Sequence, residues 1–208
     1  MLLRQLRPEE VERAATMLAR AFVGRPFTLL LADDEAGRFE ASRLTFAALA
    51  RYGLEYGEVV TTDALDAVAI WWAPEYLEVT DERAASTGLA EAAARLGSAA
   101  WARVETYDAV ATEIHHRSIR EPHWYLCVIG VAPEAQGRGL ASRLLAQMFE
   151  RLDRDQLPAY LDTNVSENVA FYEGRGFVVT TQAVEPASGI LIRGMRRDPR
   201  PLAAGTGR

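Results

Sequence analysis

The chain has little cysteine, little histidine and no long apolar run. One cysteine, Cys127, and three histidines stand in 208 residues. A lone cysteine excludes an intramolecular disulfide and fits a reducing compartment. The histidines lack the paired spacing of a zinc site, so no metal is expected. His115 and His116 fall near the end of an expected helix, where the dipole favours cationic side chains. No apolar stretch approaches the ~20 residues that span a bilayer. The opening Met1 to Pro8 is too short and too charged for a signal peptide. Basic charge is scarce as well: 23 Lys and Arg against 29 Asp and Glu leave a formal charge of −6. Without a basic stripe, a nucleic-acid partner is not expected. The basic residues that do cluster, Arg193, Arg196, Arg197 and Arg200, are expected to decorate a terminal strand and tail. The expectation is a cytoplasmic protein, monomer or homodimer, with neither a membrane nor a nucleic acid as partner.

The length suits one domain with a sizeable core. We assign residues 1–198 to it and 199–208, rich in Pro, Gly, Ala and Arg, to a tail. Leu2, Leu3 and Leu6 suggest a short first strand. Pro8 with Glu9 and Glu10 opens a helix carrying Val11, Ala14, Ala15, Leu18, Ala19 and Phe22 at helical spacing. A second amphipathic run covers about Ala36 to Tyr52. Strands are expected at Gly57 to Thr62 and Ala67 to Trp72 around Asp63-Ala-Leu-Asp66. Residues 81–117 read as one or two Ala-rich helices with breaks at Gly88 and Gly97. Then follow strand His123–Val131, helix Gly139–Leu152, strand Ala159–Asn164, a helix near Asn168–Gly174, and strands Phe177–Val184 and Ile190–Met195. The alternation is not a regular βαβ series. It predicts an α/β (α+β) architecture: a mixed central β-sheet covered by helices.

Within this pattern the corner Val131 to Ala141, V-A-P-E-A-Q-G-R-G-L-A, stands out. It ends a strand and starts a helix through a turn of small residues. Gly137 and Gly139 let the backbone approach a ligand, and the first helix amides lack intrahelical partners. The dipole adds partial positive charge there and Arg138 a full one, so a pyrophosphate fits the cradle.

Q-G-R-G-L-A, Gln136 to Ala141, fits the Q/R-x-x-G-x-G/A acetyl-CoA motif, and V-A-P-E-A fits the lead-in to it. N-V-A-F-Y-E-G-R-G-F, Asn168 to Phe177, resembles a second signature that follows in the same order. On these residues the chain resembles the GNAT N-acetyltransferases. A-V-A-I-W-W-A-P-E, E-P-H-W-Y-L, L-D-T-N and I-R-G-M-R-R-D-P are in addition similar to the puromycin N-acetyltransferase subgroup. The last motif position holds Ala141 instead of Gly, which the pattern allows.

The resemblance implies the GNAT fold, with splayed strands at an acetyl-CoA site, and direct transfer of acetyl to a primary amine. It implies cofactor contacts from Ile129, Gly130, Val131, Gln136, Gly137, Arg138, Gly139, Leu140, Ala141, Asn168 and Tyr172. Tyr172, in the Tyr position of the second signature, is the implied general acid. A phenol with pKa near ~10 stays protonated at neutral pH and can serve a thiol leaving group of pKa near ~8.5. A main-chain amide near Ile129 or Val131 is expected to face the thioester oxygen, with Gly130 marking a bulge. Asp162 either accepts the amine proton, holds the substrate ammonium, or caps the next segment; Glu75 is a second acidic candidate. Asn168 either bonds the pantetheine or caps its helix. Arg143 either reaches a phosphate or is solvated. Trp71, Trp72, Trp124, Tyr125, Phe22, Phe27 and Tyr52 supply the candidates for an aromatic acceptor wall, of which one per strand pair can face it. A small-molecule amine, an aminonucleoside or antibiotic-like compound, is the expected acceptor, and a resistance role would follow from the subgroup. Acetylation of a protein lysine or N-terminus, and CoA binding without turnover, are the alternatives.

Overall fold

The computed structural model describes residues 2–201. The elements run β1 (Leu3–Gln5), α1 (Val11–Phe22), α2 (Glu35–Tyr56), β2 (Gly57–Thr62), β3 (Ala67–Trp72), α3 (Asp81–Thr87), α4 (Leu89–Leu96), α5 (Ser98–Ser118), β4 (Trp124–Val131), α6 (Leu140–Asp155), β5 (Ala159–Thr163), α7 (Glu167–Glu173), β6 (Val178–Val184) and β7 (Leu191–Arg197). The segment read as one or two helices is three, because both glycines break it. Gly88 and Gly97 have φ of +84° and +76°, positive values that L-residues rarely adopt, and each ends a helix. Pro8–Glu10 forms a 3-10 turn ahead of α1. The Glu10 carboxylate accepts from the Arg7 backbone N–H and from the Arg4 and Arg7 guanidinium groups, which hold its pKa well below the usual range.

The seven strands form one sheet in the order β1-β2-β3-β4-β5-β7-β6. Every neighbouring pair is antiparallel except β4 with β5. That parallel pair joins only Trp124 to Ala159 and Tyr125 to Tyr160. Beyond it β4 follows β3 to Val131, while β5 follows β7 to Thr163. Each strand is held by its other neighbour, so the two diverge and the sheet opens.

Helices cover the sheet. The buried face of α1 carries Val11, Ala14, Ala15, Leu18 and Ala19, as the spacing predicts. It packs on β4 and β3, while α5 packs on β5, β6 and β7. A second apolar cluster, with Leu30, Leu31, Val104, Tyr107, Ile114 and Ile192, ties α5 to the body. The arginines after β5 are more than decoration: Arg197 is buried and paired with Asp153 at 2.7 Å. The backbone of Arg200 is bonded to Asp153 and Gln156, so the chain is still anchored there; the rest of the expected tail, 202–208, lies outside the described residues. Among the described residues no helix is long and apolar enough to cross a membrane.

Candidate active site

The corner after β4 is built from main-chain conformation. The Gln136 side chain folds back and donates to the Val131 carbonyl at 3.2 Å, closing the turn on the strand it leaves. Gly137 and Gly139 both have φ of +75°, and a Cβ at either position would meet nothing within 4 Å. These glycines therefore serve the backbone conformation and leave open space in front of it. Gly139 is the residue before α6, and no side chain caps that helix. The first amides of a 16-residue helix consequently face outward without a capping partner. Arg138 and Arg143 are exposed around them. Leu140, by contrast, buries its side chain in the core, so only its main chain can face a ligand. Arg175 adds a cation the sequence reading passed over. It bonds Ser142 in the first turn of α6 and stacks on Phe171 at 3.6 Å, tying α7 to the corner. Its place inside E-G-R-G-F was the available signal.

The divergence of β4 and β5 opens into a cavity of about 2080 Å³. Ile129, Asp162, Asn168 and Tyr172 line it together. The turn residues 136–141 and Val131 lie outside its lining, at the end of β4 where α6 begins. Tyr172 is only 7% exposed, and its hydroxyl has no partner among the described residues. Burial raises its pKa above the ordinary phenol value, with the Asp162 charge adding to the effect. Asp162 Oδ1 accepts a hydrogen bond from the Tyr125 hydroxyl at 2.8 Å. Burial raises the Asp162 pKa, and that hydrogen bond opposes the rise. Asn168 does not cap α7: Ser166 holds the cap position, and the Asn168 backbone N–H donates to the Val165 carbonyl at 3.0 Å. Glu75 is exposed and outside the cavity lining.

Two expectations about β4 are corrected. Gly130 is not a bulge; it pairs in register with Val68. It is glycine because a Cβ would come within 2.5 Å of Leu18 and 2.9 Å of Phe22 on α1. The irregularity lies three residues earlier, where Ile70 pairs with Val128 and Trp71 with Leu126, leaving Cys127 as the extra residue. Cys127 lines the cavity, and burial pushes its thiol pKa up.

Of the aromatic candidates, Trp72 and Tyr125 line the cavity and Trp71 and Trp124 do not, one from each pair. Phe22 and Phe27 join the wall. Tyr52 does not: it is fully buried, and its hydroxyl donates to the Tyr76 carbonyl at 2.7 Å. Sequence reasoning missed the fourth wall, α5. Val104, Tyr107, Asp108, Ala111, Thr112 and His115 recur at helical spacing and all face the cavity. The stripe is legible once one knows which side of α5 meets the sheet. Asn164 at the end of β5 donates to the Tyr107 hydroxyl at 2.8 Å and holds α5 over the opening. His115 stacks on Tyr160 at 3.9 Å, and its Nε2 lies 2.6 Å from His123 Nε2. His123 Nδ1–H donates to the Glu121 carbonyl, which makes Nε2 of that ring the acceptor. Burial pushes His115 down to about 3, so both rings are neutral. Among the described residues no three His, Cys, Asp or Glu side chains are grouped to hold a metal ion.

Comparison with known proteins agrees with this architecture. Residues 65–177, more than half of the chain, match the model of the Acetyltransferase (GNAT) family. An uncharacterized N-acetyltransferase of Schizosaccharomyces pombe is 38% identical over 60 residues. That segment is 28% of this chain and spans only 24% of the yeast protein. A solved structure titled as histone acetyltransferase HPA2 and related acetyltransferase, from Corynebacterium glutamicum, has a similar fold. Its TM-score is 0.67 at 18% identity, covering 97% of this chain and 98% of that one. A polyamine N-acetyltransferase of Drosophila melanogaster has TM-score 0.61 at 16% identity, covering 95% and 99%.

Proposed function

The chain belongs to the GNAT acetyltransferase family, and we propose that it is an acyltransferase that acetylates the primary amine of a small molecule by direct attack. One observation carries this reading. Tyr172 and Asp162 meet in a single cavity beside the diverging edge of β4, under the wall made by α5 and the aromatic residues of the N-terminal helices. A roofed, aromatic-walled chamber suits a compact acceptor better than an extended peptide.

Enzymes of this family use acetyl-CoA, and the corner fits it. Left-handed glycines with open space before them and an uncapped helix start offer main-chain donors to a pyrophosphate. We assign that contact to Gln136, Gly137, Arg138, Gly139, Leu140 and Ala141. The pantetheine arm falls to the main chain of Ile129, Gly130 and Val131 and to Asn168. Bound there, acetyl-CoA supplies an activated acyl thioester.

The residues of the chain then divide the proton work. Burial keeps the Tyr172 hydroxyl protonated through neutral pH, so Oη can donate to the departing sulfur. Asp162, fixed through Oδ1 by Tyr125, leaves Oδ2 to hold the ammonium of the acceptor. Trp72, Tyr125, Phe22 and Phe27 give the remainder of the acceptor an apolar surface. A cytoplasmic setting and action as a monomer or homodimer belong to the same proposal, as does a resistance role if the acceptor proves to be an aminonucleoside.

The test is purified protein with acetyl-CoA and a panel of aminonucleosides, arylalkylamines, polyamines and lysine peptides, read by thiol release. Turnover with free amines and not peptides is expected. Peptide acetylation alone would replace this reading with protein modification, and CoA binding without turnover on any amine would leave a non-catalytic binder.

A further inference from the structure

His115 on α5 and His123 just ahead of β4 both line the cavity, and their hydrogen bonds fix where each ring proton sits. His123 Nδ1 lies 2.6 Å from the Glu121 carbonyl, which can only accept, so Nδ1 carries a proton. Glu121 is itself tied to Arg196 of β7 at 2.6 Å. His123 Nε2 faces His115 Nε2 across 2.6 Å, a gap that holds one proton and not two. In the neutral pair that proton belongs to His115 Nε2, and the lone pair of His115 is left on Nδ1. Burial, and then the neighbouring His123 and His116, lower the His115 pKa to about 3. Burial lowers His123 too, against the bond to Glu121 and with Arg196. The His115 ring is held in place: it stacks on Tyr160 with centroids 3.9 Å apart and planes 5° from parallel. No group among the described residues bonds to Nδ1, and the atom is not sealed from solvent. Beside it stands Tyr125, ring centroids 5.2 Å apart, whose hydroxyl donates to Asp162 at 2.8 Å. A molecule that fills the cavity displaces the water there. It must then supply a donor to Nδ1 or leave it unsatisfied.

We propose that His115 is a specificity-determining residue of the acceptor pocket: its Nδ1 takes a hydrogen bond from a hydroxyl or amide N–H that the acceptor carries beside its amine. This rests on the small-molecule reading above, in which Asp162 holds the ammonium. A primary amine with a neutral donor on the carbon next to the one that bears the nitrogen satisfies both groups. A plain arylalkylamine leaves Nδ1 bare. An amino acid is worst, because its carboxylate brings only acceptors to a lone pair. A ring so weakly basic does not compete for the amine proton, so His115 reads the acceptor and takes no part in proton transfer. His123 is a positioning residue that acts through it by setting the tautomer.

The test uses wild type, His115→Phe and His115→Asn with acetyl-CoA and four acceptors on one skeleton: phenethylamine, phenylalaninol, phenylalaninamide and phenylalanine. Each kcat/KM is divided by that for phenethylamine in the same variant, so a general loss of activity cancels. The amines differ in basicity, so these ratios are compared between variants. His115→Phe keeps a ring on Tyr160 but has no lone pair. It should lower the ratios for phenylalaninol and phenylalaninamide about 5-fold, the worth of one hydrogen bond, and raise that for phenylalanine. His115→Asn puts an amide oxygen at a similar depth on the side chain and should recover part of the preference. Nitrogen-15 NMR of wild type at pH 7 should show a proton on Nε2 and none on Nδ1 of His115, and the reverse on His123. Ratios unchanged in His115→Phe, or a proton on His115 Nδ1, would overturn the role of His115 while leaving the small-molecule reading intact. A fall in the phenylalanine ratio alongside the other two would do the same, since it would reduce the residue to packing. A wild type inert on all four amines but active on a lysine peptide overturns both.

Discussion

The two sides of the cavity are built by different means. The β4–α6 corner is a local object. Eleven consecutive residues, Val131 to Ala141, contain its strand end, its two left-handed glycines and its uncapped helix start, and the donors it offers are main-chain amides. The opposite side is assembled from distant segments. Phe22 and Phe27 come from the N-terminus, Trp72 from β3, Tyr107 from α5 and Asp162 from β5, and it is their side chains that line the cavity. A backbone cradle tolerates most substitutions outside its glycines, whereas a side-chain chamber can be refitted one residue at a time. A family can therefore keep one acyl donor while its acceptors change.

Substitutions on each side separate the two. Gly139→Trp should abolish CoA binding by calorimetry, with the fold retained. The new side chain enters open space, and the left-handed backbone costs an L-residue only about 1–2 kcal/mol. Unchanged CoA affinity would remove the corner from the cofactor site. Tyr172→Phe, where the two sides meet, should lower kcat by about 10²–10⁴-fold and change CoA affinity little; equal losses in both would make Tyr172 a packing residue. Gly130→Ala probes the wall between β4 and α1. With contacts of 2.5 Å to Leu18 and 2.9 Å to Phe22, it should destabilise by about 1–3 kcal/mol in urea titrations. Native stability would mean α1 can shift away. Asn164→Ala should have the smallest effect. It frees the Tyr107 hydroxyl and loosens α5, raising the acceptor KM about five-fold for a bond worth about 1 kcal/mol, without touching CoA affinity. A change in CoA affinity instead would mean that the two sides are coupled.

The same contrast explains what could be read in advance. Strands β2 and β3 lie where alternation and turn chemistry put them, and the stripe on α6, with Leu144, Leu145, Met148 and Leu152, is buried as its spacing predicts. The breaks at Gly88 and Gly97 were visible, but the number of helices was not, since one glycine can be absorbed or can end a turn. Gly130 misled because glycine in a strand has two causes, a bulge or a close neighbour, and only the neighbour's position separates them. Tyr52 misled for a related reason: an aromatic residue on an amphipathic helix carries no mark of which cavity, if any, it borders.

By itself the sequence determined the order and kind of the elements and the glycine corner that identifies the family, because these depend on near neighbours along the chain. The tertiary structure decided where β4 and β5 part, which face of α5 turns inward, and that Asp162 and Tyr172 line one cavity. The cavity lining joins residues as far apart in the chain as Phe22 and Tyr172. No periodicity within a segment encodes a distance across the fold.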